Sequence, residues 1–127
     1  MTLFSTGAIL AFLGVAAGAF GAHGLKDWFH SVPELLPIYQ TAVQYQMYHS
    51  IGILLASTRA KPPLRAARWA GYCFIAGILI FSGSLYAIAL DAPKKLGMIT
   101  PIGGVAFLSG WILLAVSAWG EEKRDPD

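Results

Sequence analysis

Charged side chains are missing from four long stretches of this chain, and that pattern constrains its fold more than any other feature. The uncharged stretches are residues 1–25, 35–58, 69–90 and 96–120. A transmembrane helix needs about 20 consecutive, mostly apolar residues, because the hydrocarbon core of a bilayer is ~30 Å thick. Each stretch is long enough to cross it. The sequence therefore predicts an all-α fold, an integral membrane four-helix bundle, in a single membrane domain covering residues 1–127.

The composition argues against other classes of protein. Asp, Glu, Lys and Arg make up 13% of the 127 residues, whereas soluble domains contain about 25%. The net charge of +2 is too small to indicate a polyanionic partner, so no nucleic acid is expected. One cysteine, Cys73, cannot form an intrachain disulfide. Residues 1–25 lack the basic start of a cleaved signal peptide, since the first basic residue is Lys26, and we expect a retained helix.

The distribution of basic residues predicts the orientation. The 59–68 loop carries four basic residues and no acidic one, and basic residues are concentrated in cytoplasmic loops. If this loop is cytoplasmic, the 26–34 and 91–95 loops lie outside and both termini are cytoplasmic. We therefore expect a multi-pass protein of the cell inner (plasma) membrane.

Local signals predict where the helices begin and end. The predicted helices are 3–23, 38–58, 69–90 and 100–119. Thr100 followed by Pro101 is typical of a helix start, with the threonine as N-cap and the proline in the first turn. Ser31 and Glu34 have the spacing of a capping box. Pro37 is expected in the first turn of the second predicted span.

The first predicted span carries a ridge of small residues, spaced alternately four and three apart. This glycine ridge consists of Gly7, Ala11, Gly14, Gly18 and Gly21. In lipid, helices associate largely through close packing, which small residues permit. The ridge therefore predicts helix packing inside the protein. A seam between subunits and a ligand groove are the alternatives.

The second predicted span is unusually polar. We assign a candidate polar intramembrane site to Gln40, Gln44, Tyr45, Tyr48 and His49 of this span, together with Ser82 and Ser84 of the third. Polar side chains in a span are costly against lipid and should face protein or water. We expect the polar face to meet the two serines, with Gly83 allowing close approach of the backbones. The band is either a hydrogen-bond network or a site for a small polar solute, a proton or a lipid headgroup.

Metal and enzymatic chemistry find little support in the residues. The three histidines are His23, His30 and His49, and only His49 lies near mid-span. No cysteine or carboxylate has ligand spacing within a span, so neither a metal site nor a cofactor is expected. A serine and a histidine without an orienting carboxylate do not make a catalytic triad. We therefore expect no enzymatic activity.

Four stretches are similar to a known family. They are residues 18–25 (GAFGAHGL), 41–49 (TAVQYQMYH), 81–86 (FSGSLY) and 96–104 (LGMITPIGG). With these motifs the chain resembles the YgdD/YwdK-like small bacterial membrane proteins, known as domain of unknown function number 423. The resemblance touches all four predicted spans. It implies an integral inner-membrane protein with about four helices, and it supplies no activity and no functional residue.

Two hypotheses about function follow. In the first, the polar face binds or conducts a small polar solute, a proton or a lipid headgroup. In the second, the protein is a structural or accessory membrane subunit, whose glycine ridge mediates helix packing or assembly. The expected partners are the lipid bilayer, a second copy of the chain in a homo-oligomer, and another membrane protein.

Overall fold

The polypeptide consists of helices joined by short connections. The computed structural model describes residues 1–60 and 65–123. The elements in chain order are α1 (Leu3–His23), α2 (Lys26–Ser31), a 3₁₀ helix (Pro33–Leu35), α3 (Leu36–Arg59), α4 (Arg65–Gly77), a π-helical segment (Ile78–Ser82), α5 (Gly83–Ala89), a second 3₁₀ helix (Lys94–Met98) and α6 (Thr100–Glu122). These two ranges contain no strand, and the all-α prediction is confirmed.

The first helix starts with a capping box, but the predicted second box does not form. Thr2 and Ser5 satisfy one another's backbone N–H groups at the start of α1, at 3.0 and 3.1 Å. The prediction for Ser31 and Glu34 is wrong. Ser31 is the last residue of α2, and its hydroxyl donates to the carbonyl oxygen of Trp28 at 2.7 Å.

The ends of the other helices follow common rules. Pro37 lies in the first turn of α3, where its missing N–H costs little. The end of α5 is a Schellman motif, in which Asp91 adopts a left-handed conformation with φ of 79°. The N–H of Ala92 donates to the carbonyl of Ala87 at 2.9 Å across this turn.

The helix α3 organises the packing. α1 packs along one side of it, and α4, the π-helical segment and α5 pack along another. α6 packs mainly against α4 and the π-helical segment. Over the described residues, α1 and α6 share no extensive interface. The fold is therefore centred on one helix and is not a closed ring of helices.

Glycines opposite aromatic rings bring α4 and α6 close together. A Cβ atom placed on Gly77 would lie 2.3 Å from the ring of Phe107, and one on Gly110 would lie 2.5 Å from the ring of Phe74. A Cβ on Gly103 would lie 2.5 Å from the backbone nitrogen of Phe81. Only glycine permits these approaches without a shift of the neighbouring atoms. The rings of Phe74 and Phe107 form the buried core with Ile53, Ala56, Ala70 and Ile78.

Large apolar side chains cover the outer faces of the helices. Phe12 on α1, Leu79 on the π-helical segment and Leu108 on α6 are 70%, 67% and 65% exposed. Three helical stretches are long and apolar enough to cross a membrane, 3–23, 65–89 and 94–119. α3 is long enough but carries too many polar side chains to meet the same criterion. The exposed polar side chains on the outer faces of α3 therefore distinguish it from the three apolar stretches.

Candidate functional site

The interior of the protein is crossed by hydrogen bonds centred on Gln46. Its Nε2 donates to the carbonyl oxygen of Leu10 on α1 at 2.9 Å, and its Oε1 accepts from the hydroxyl of Tyr86 on α5 at 2.7 Å. Gln46 therefore ties three helices together. It was not among the predicted site residues. No signal in the sequence singles it out, because its inward position depends on contacts with α1 and α5.

The two serines meet α3 less extensively than predicted. Ser82 donates to the carbonyl oxygen of Ala42 at 2.8 Å. Ser84 pairs with Thr100 of α6, so it lies away from the glutamines of α3. Gly83 does not have its expected role, since a Cβ atom there would meet nothing within 4 Å. A close backbone approach occurs elsewhere, between Gly103 of α6 and Phe81.

His49 is enclosed by aromatic rings and is 5% exposed. Its ring stacks on Phe107 with centroids 3.5 Å apart and planes 9° apart. Its Nδ1–H donates to the carbonyl oxygen of Tyr45 at 2.7 Å, and its Nε2 accepts from the Trp111 Nε1–H at 3.1 Å. Both ring nitrogens are therefore committed, and His49 is part of the packed core. Every buried polar side-chain atom in the described residues has a partner in this way.

Tyr45 and Tyr48 lie at the surface between α3 and α6. They are 37% and 55% exposed, and neither hydroxyl forms a hydrogen bond with the described residues. The ring of Tyr45 stacks on Phe81, with centroids 4.6 Å apart. Groove B, as we call this concavity of about 640 Å³, is lined by Tyr45, Tyr48, His49, Phe81, Pro101, Gly104, Val105, Phe107, Leu108 and Trp111.

Gln40 and Gln44 lie in a second groove, between α1, α2 and α3. They are four residues apart on α3 and therefore share one face of it. Both are exposed, and neither amide is paired with a described residue. Groove A, as we call this concavity of about 490 Å³, is lined by Gly18, Gly21, Ala22, Lys26, Phe29, His30, Leu36, Tyr39, Gln40, Val43 and Gln44.

The short helix α2 is anchored over the mouth of groove A. The Trp28 Nε1–H donates to the carbonyl oxygen of Ala89 on α5 at 2.9 Å. Phe29 is buried against Tyr39, with ring centroids 5.2 Å apart. The hydroxyl of Tyr39 donates in turn to the carbonyl of Ala17 on α1. These contacts fix α2, so Lys26 and His30 are held at the groove.

The glycine ridge of α1 lies against α3. Cβ atoms placed on its four glycines would meet side chains of α3 within 2.2–3.5 Å, namely Ile53 for Gly7, Met47 for Gly14, Val43 for Gly18 and Tyr39 for Gly21. These contacts run antiparallel along nearly the whole of both helices. Gly18 and Gly21 also form part of the floor of groove A.

The predicted site residues therefore separate into three places. Gln40 and Gln44 line groove A, Tyr45 and Tyr48 line groove B with His49 at its base, and Ser82 and Ser84 bond within the helix packing. Over residues 1–60 and 65–123, no group of three His, Cys, Asp or Glu side chains could hold a metal ion. The features that remain open to a ligand are the two grooves.

Comparison with known proteins identifies the family. Residues 17–104 match a family described as "Protein of unknown function (DUF423)". The chain belongs to the DUF423 family. The matched region extends from the middle of α1 to the start of α6, so it contains the α3 residues of both grooves.

Similar DUF423 relatives come from several bacteria. The chain is 44% identical over 115 residues to the UPF0382 membrane protein YwdK of Bacillus subtilis, covering 88% of this chain and 91% of the relative. It is 43% identical over 111 residues to a UPF0382 membrane protein of Staphylococcus epidermidis, covering 87% and 89%. It is 42% identical over 112 residues to one from Haemophilus influenzae, covering 88% and 89%. No solved structure matches. These findings and the three apolar helices identify a helical membrane protein of the DUF423 family.

Proposed function

We propose that the protein crosses the inner membrane four times, with both termini in the cytoplasm. In this arrangement α3 crosses the membrane in addition to the three apolar stretches. α3 has 24 residues, or ~36 Å at 1.5 Å per residue. It runs antiparallel to the apolar α1 from Tyr39 beside Gly21 to Ile53 beside Gly7. A helix packed along a span over that length has to share its depth. The four basic residues of the 59–68 loop support a cytoplasmic position for that loop.

Within this arrangement, groove A binds the headgroup of an anionic amphiphile at the outer surface of the membrane. The observation that supports this proposal is that the side-chain amides of Gln40 and Gln44 have no partner among the described residues and share the groove with the cation of Lys26. Gln40 and Gln44 stand ~6 and ~12 Å along α3 from Leu36, below the membrane surface. An unpaired amide in hydrocarbon is costly, so a ligand with hydrogen-bonding groups at that depth would stabilise the groove.

The charge around groove A favours a phosphate or carboxylate. Lys26 is exposed at its mouth and forms no ion pair within the described part of the chain, and His30 lies beside it. Asp27 and Glu34 of the same loop do not line the groove. Beside the amides, Leu36 and Val43 of the same groove offer apolar surface for an acyl chain. A phospholipid or fatty acid matches this combination of a cation, amides and apolar surface.

The fully paired interior argues against conduction. His49, Gln46, Ser50 and Ser82 are buried, and each is bonded to a neighbouring residue. A path for a proton or solute would require these bonds to break. The hypothesis of a packing network expects these buried side chains to be hydrogen-bonded to one another or to the backbone. Groove A, with its two unpaired amides, is then the polar concavity at the outer surface of the membrane.

Lipid retention tests the proposal. The protein is reconstituted in nanodiscs of equal parts phosphatidylglycerol and phosphatidylcholine, and released gently for native mass spectrometry. We expect wild type to retain one phosphatidylglycerol per chain. Lys26→Gln combined with Gln44→Leu removes the charge and an amide, and should lower that retention about tenfold or more, since hydrogen bonds to charged groups contribute about 1.5–3 kcal/mol.

The matched control is Lys94→Gln. It removes a lysine from the 91–95 loop, on the same side of the membrane as Lys26 but away from groove A. This variant should retain phosphatidylglycerol like wild type. Equal retention in wild type and the double variant, or equal loss with Lys94→Gln, would contradict the site.

A further inference from the structure

Groove B carries a different signal, which rests on the proposed crossing of the membrane by α3: its two tyrosines then stand near the middle of that span. Tyr45 and Tyr48 stand ~14 and ~18 Å along α3 from Leu36, on a helix ~36 Å long. Tyrosines of membrane proteins are usually enriched at the two interfaces, where the hydroxyl reaches water. Here two exposed tyrosines, whose hydroxyls have no partner among the described residues, stand at that depth of the proposed span. An unpaired hydroxyl at that depth is costly.

We propose that a second copy of this chain covers groove B in a twofold dimer. A tyrosine hydroxyl can both donate and accept a hydrogen bond, so the same pair of hydroxyls on two chains is self-complementary. A twofold axis brings identical surfaces together in this way. A lipid acyl chain has no group that could pair with them at mid-membrane depth. In the proposed dimer, the hydroxyls of Tyr45 and Tyr48 form hydrogen bonds with the hydroxyls of Tyr45 and Tyr48 of the partner subunit.

The shape of groove B suits a helix of a second copy. It runs between α3 and α6, over a floor formed by Phe81 and Phe107. Gly104 and Pro101 keep the wall on the α6 side low. Val105 and Leu108 of α6, which line the groove, are 62% and 65% exposed. Small residues that let backbones approach, with polar side chains as bridges, are typical of helix association in membranes.

The glycine ridge does not compete for this role, since α3 of the same chain covers it. The dimer is also independent of the lipid proposed for groove A. Gln44→Leu should lower lipid retention and leave the dimer intact, because groove B does not contain Gln44. A failure of one proposal can therefore be told from a failure of the other.

The first test removes the hydroxyls and keeps the rings. We expect Tyr45→Phe combined with Tyr48→Phe to weaken the dimer about tenfold, measured as the dissociation constant in liposomes by single-molecule photobleaching of labelled subunits. The control is Tyr72→Phe, at a tyrosine of α4 that is 46% exposed on another face. It should dissociate like wild type. Since phenylalanine replaces tyrosine in each case, circular dichroism should show the same helix content.

The second test uses cross-linking between single cysteines to identify the surfaces that meet in the dimer. In a Cys73→Ala background, Val105→Cys next to groove B should form cross-linked dimers with a short thiol-to-thiol reagent. Phe12→Cys on α1, which is 70% exposed, should not. The proposal is overturned if wild type is monomeric at high protein-to-lipid ratio, if the double tyrosine variant dissociates like wild type, or if Phe12→Cys cross-links and Val105→Cys does not.

Discussion

His49 shows how a polar residue in the interior of a membrane protein can be structural. A histidine near the middle of a predicted span suggests a role in proton transfer or ligand binding. Its ring is instead stacked on Phe107, and both nitrogens are bonded, one to the backbone of α3 and one to Trp111. The donor at Trp111 requires an acceptor at Nε2, so the neutral ring with hydrogen on Nδ1 is the form that this pocket accommodates.

We expect His49→Ala to destabilise the protein by about 2 kcal/mol or more, because it leaves a cavity beside Phe107 and an unpaired indole N–H. Trp111→Phe should cost less, ~0.6 kcal/mol, the average for a hydrogen bond between membrane helices. The measurement is the free energy of unfolding in micelles, followed by circular dichroism. The double variant should be more stable than the sum of the two changes predicts. Strict additivity, or a fully stable His49→Ala, would contradict the structural role.

At the scale of helices, the glycines separate into those that permit contact and those that do not. Gly103 brings α6 against the backbone at Phe81, and Gly77 and Gly110 receive aromatic rings. Gly83 has open space where a side chain would be. The sequence alone cannot distinguish them, since all lie in apolar helices. The rotation of each helix about its axis decides which glycine meets a neighbour.

A matched pair of alanine substitutions tests this distinction. Gly103→Ala should destabilise the protein by about 1–3 kcal/mol, because the added methyl group overlaps backbone atoms that cannot move aside cheaply. Gly83→Ala should stabilise it by about 0.5–1 kcal/mol, because alanine is the better helix former. Both values come from unfolding in the same detergent. Equal effects of the two substitutions would show that α6 does not pack on Phe81 as described.

At the scale of the whole molecule, the sequence was most informative about the class of fold. The four uncharged stretches predict helices, and the described residues are helical without strands. The family resemblance is confirmed by the match over residues 17–104. The polarity of α3 was visible from Gln40, Gln44 and His49. The inward position of Gln46 and the separation of the other polar residues into two grooves were not, because they depend on contacts between helices distant in sequence.

Both proposals depend on the crossing of the membrane by α3, because the ligand expected in each groove depends on how deep its residues lie in the membrane. The most direct measurement places single cysteines on the helices that flank α3, His30→Cys on α2 and Arg68→Cys at the start of α4, in a Cys73→Ala background. Both positions are exposed. A membrane-impermeant thiol reagent should label His30→Cys in intact cells, with the outer membrane made permeable where one is present. It should label Arg68→Cys only after the inner membrane is opened. Labelling of both cysteines from the same side would contradict a membrane-spanning α3.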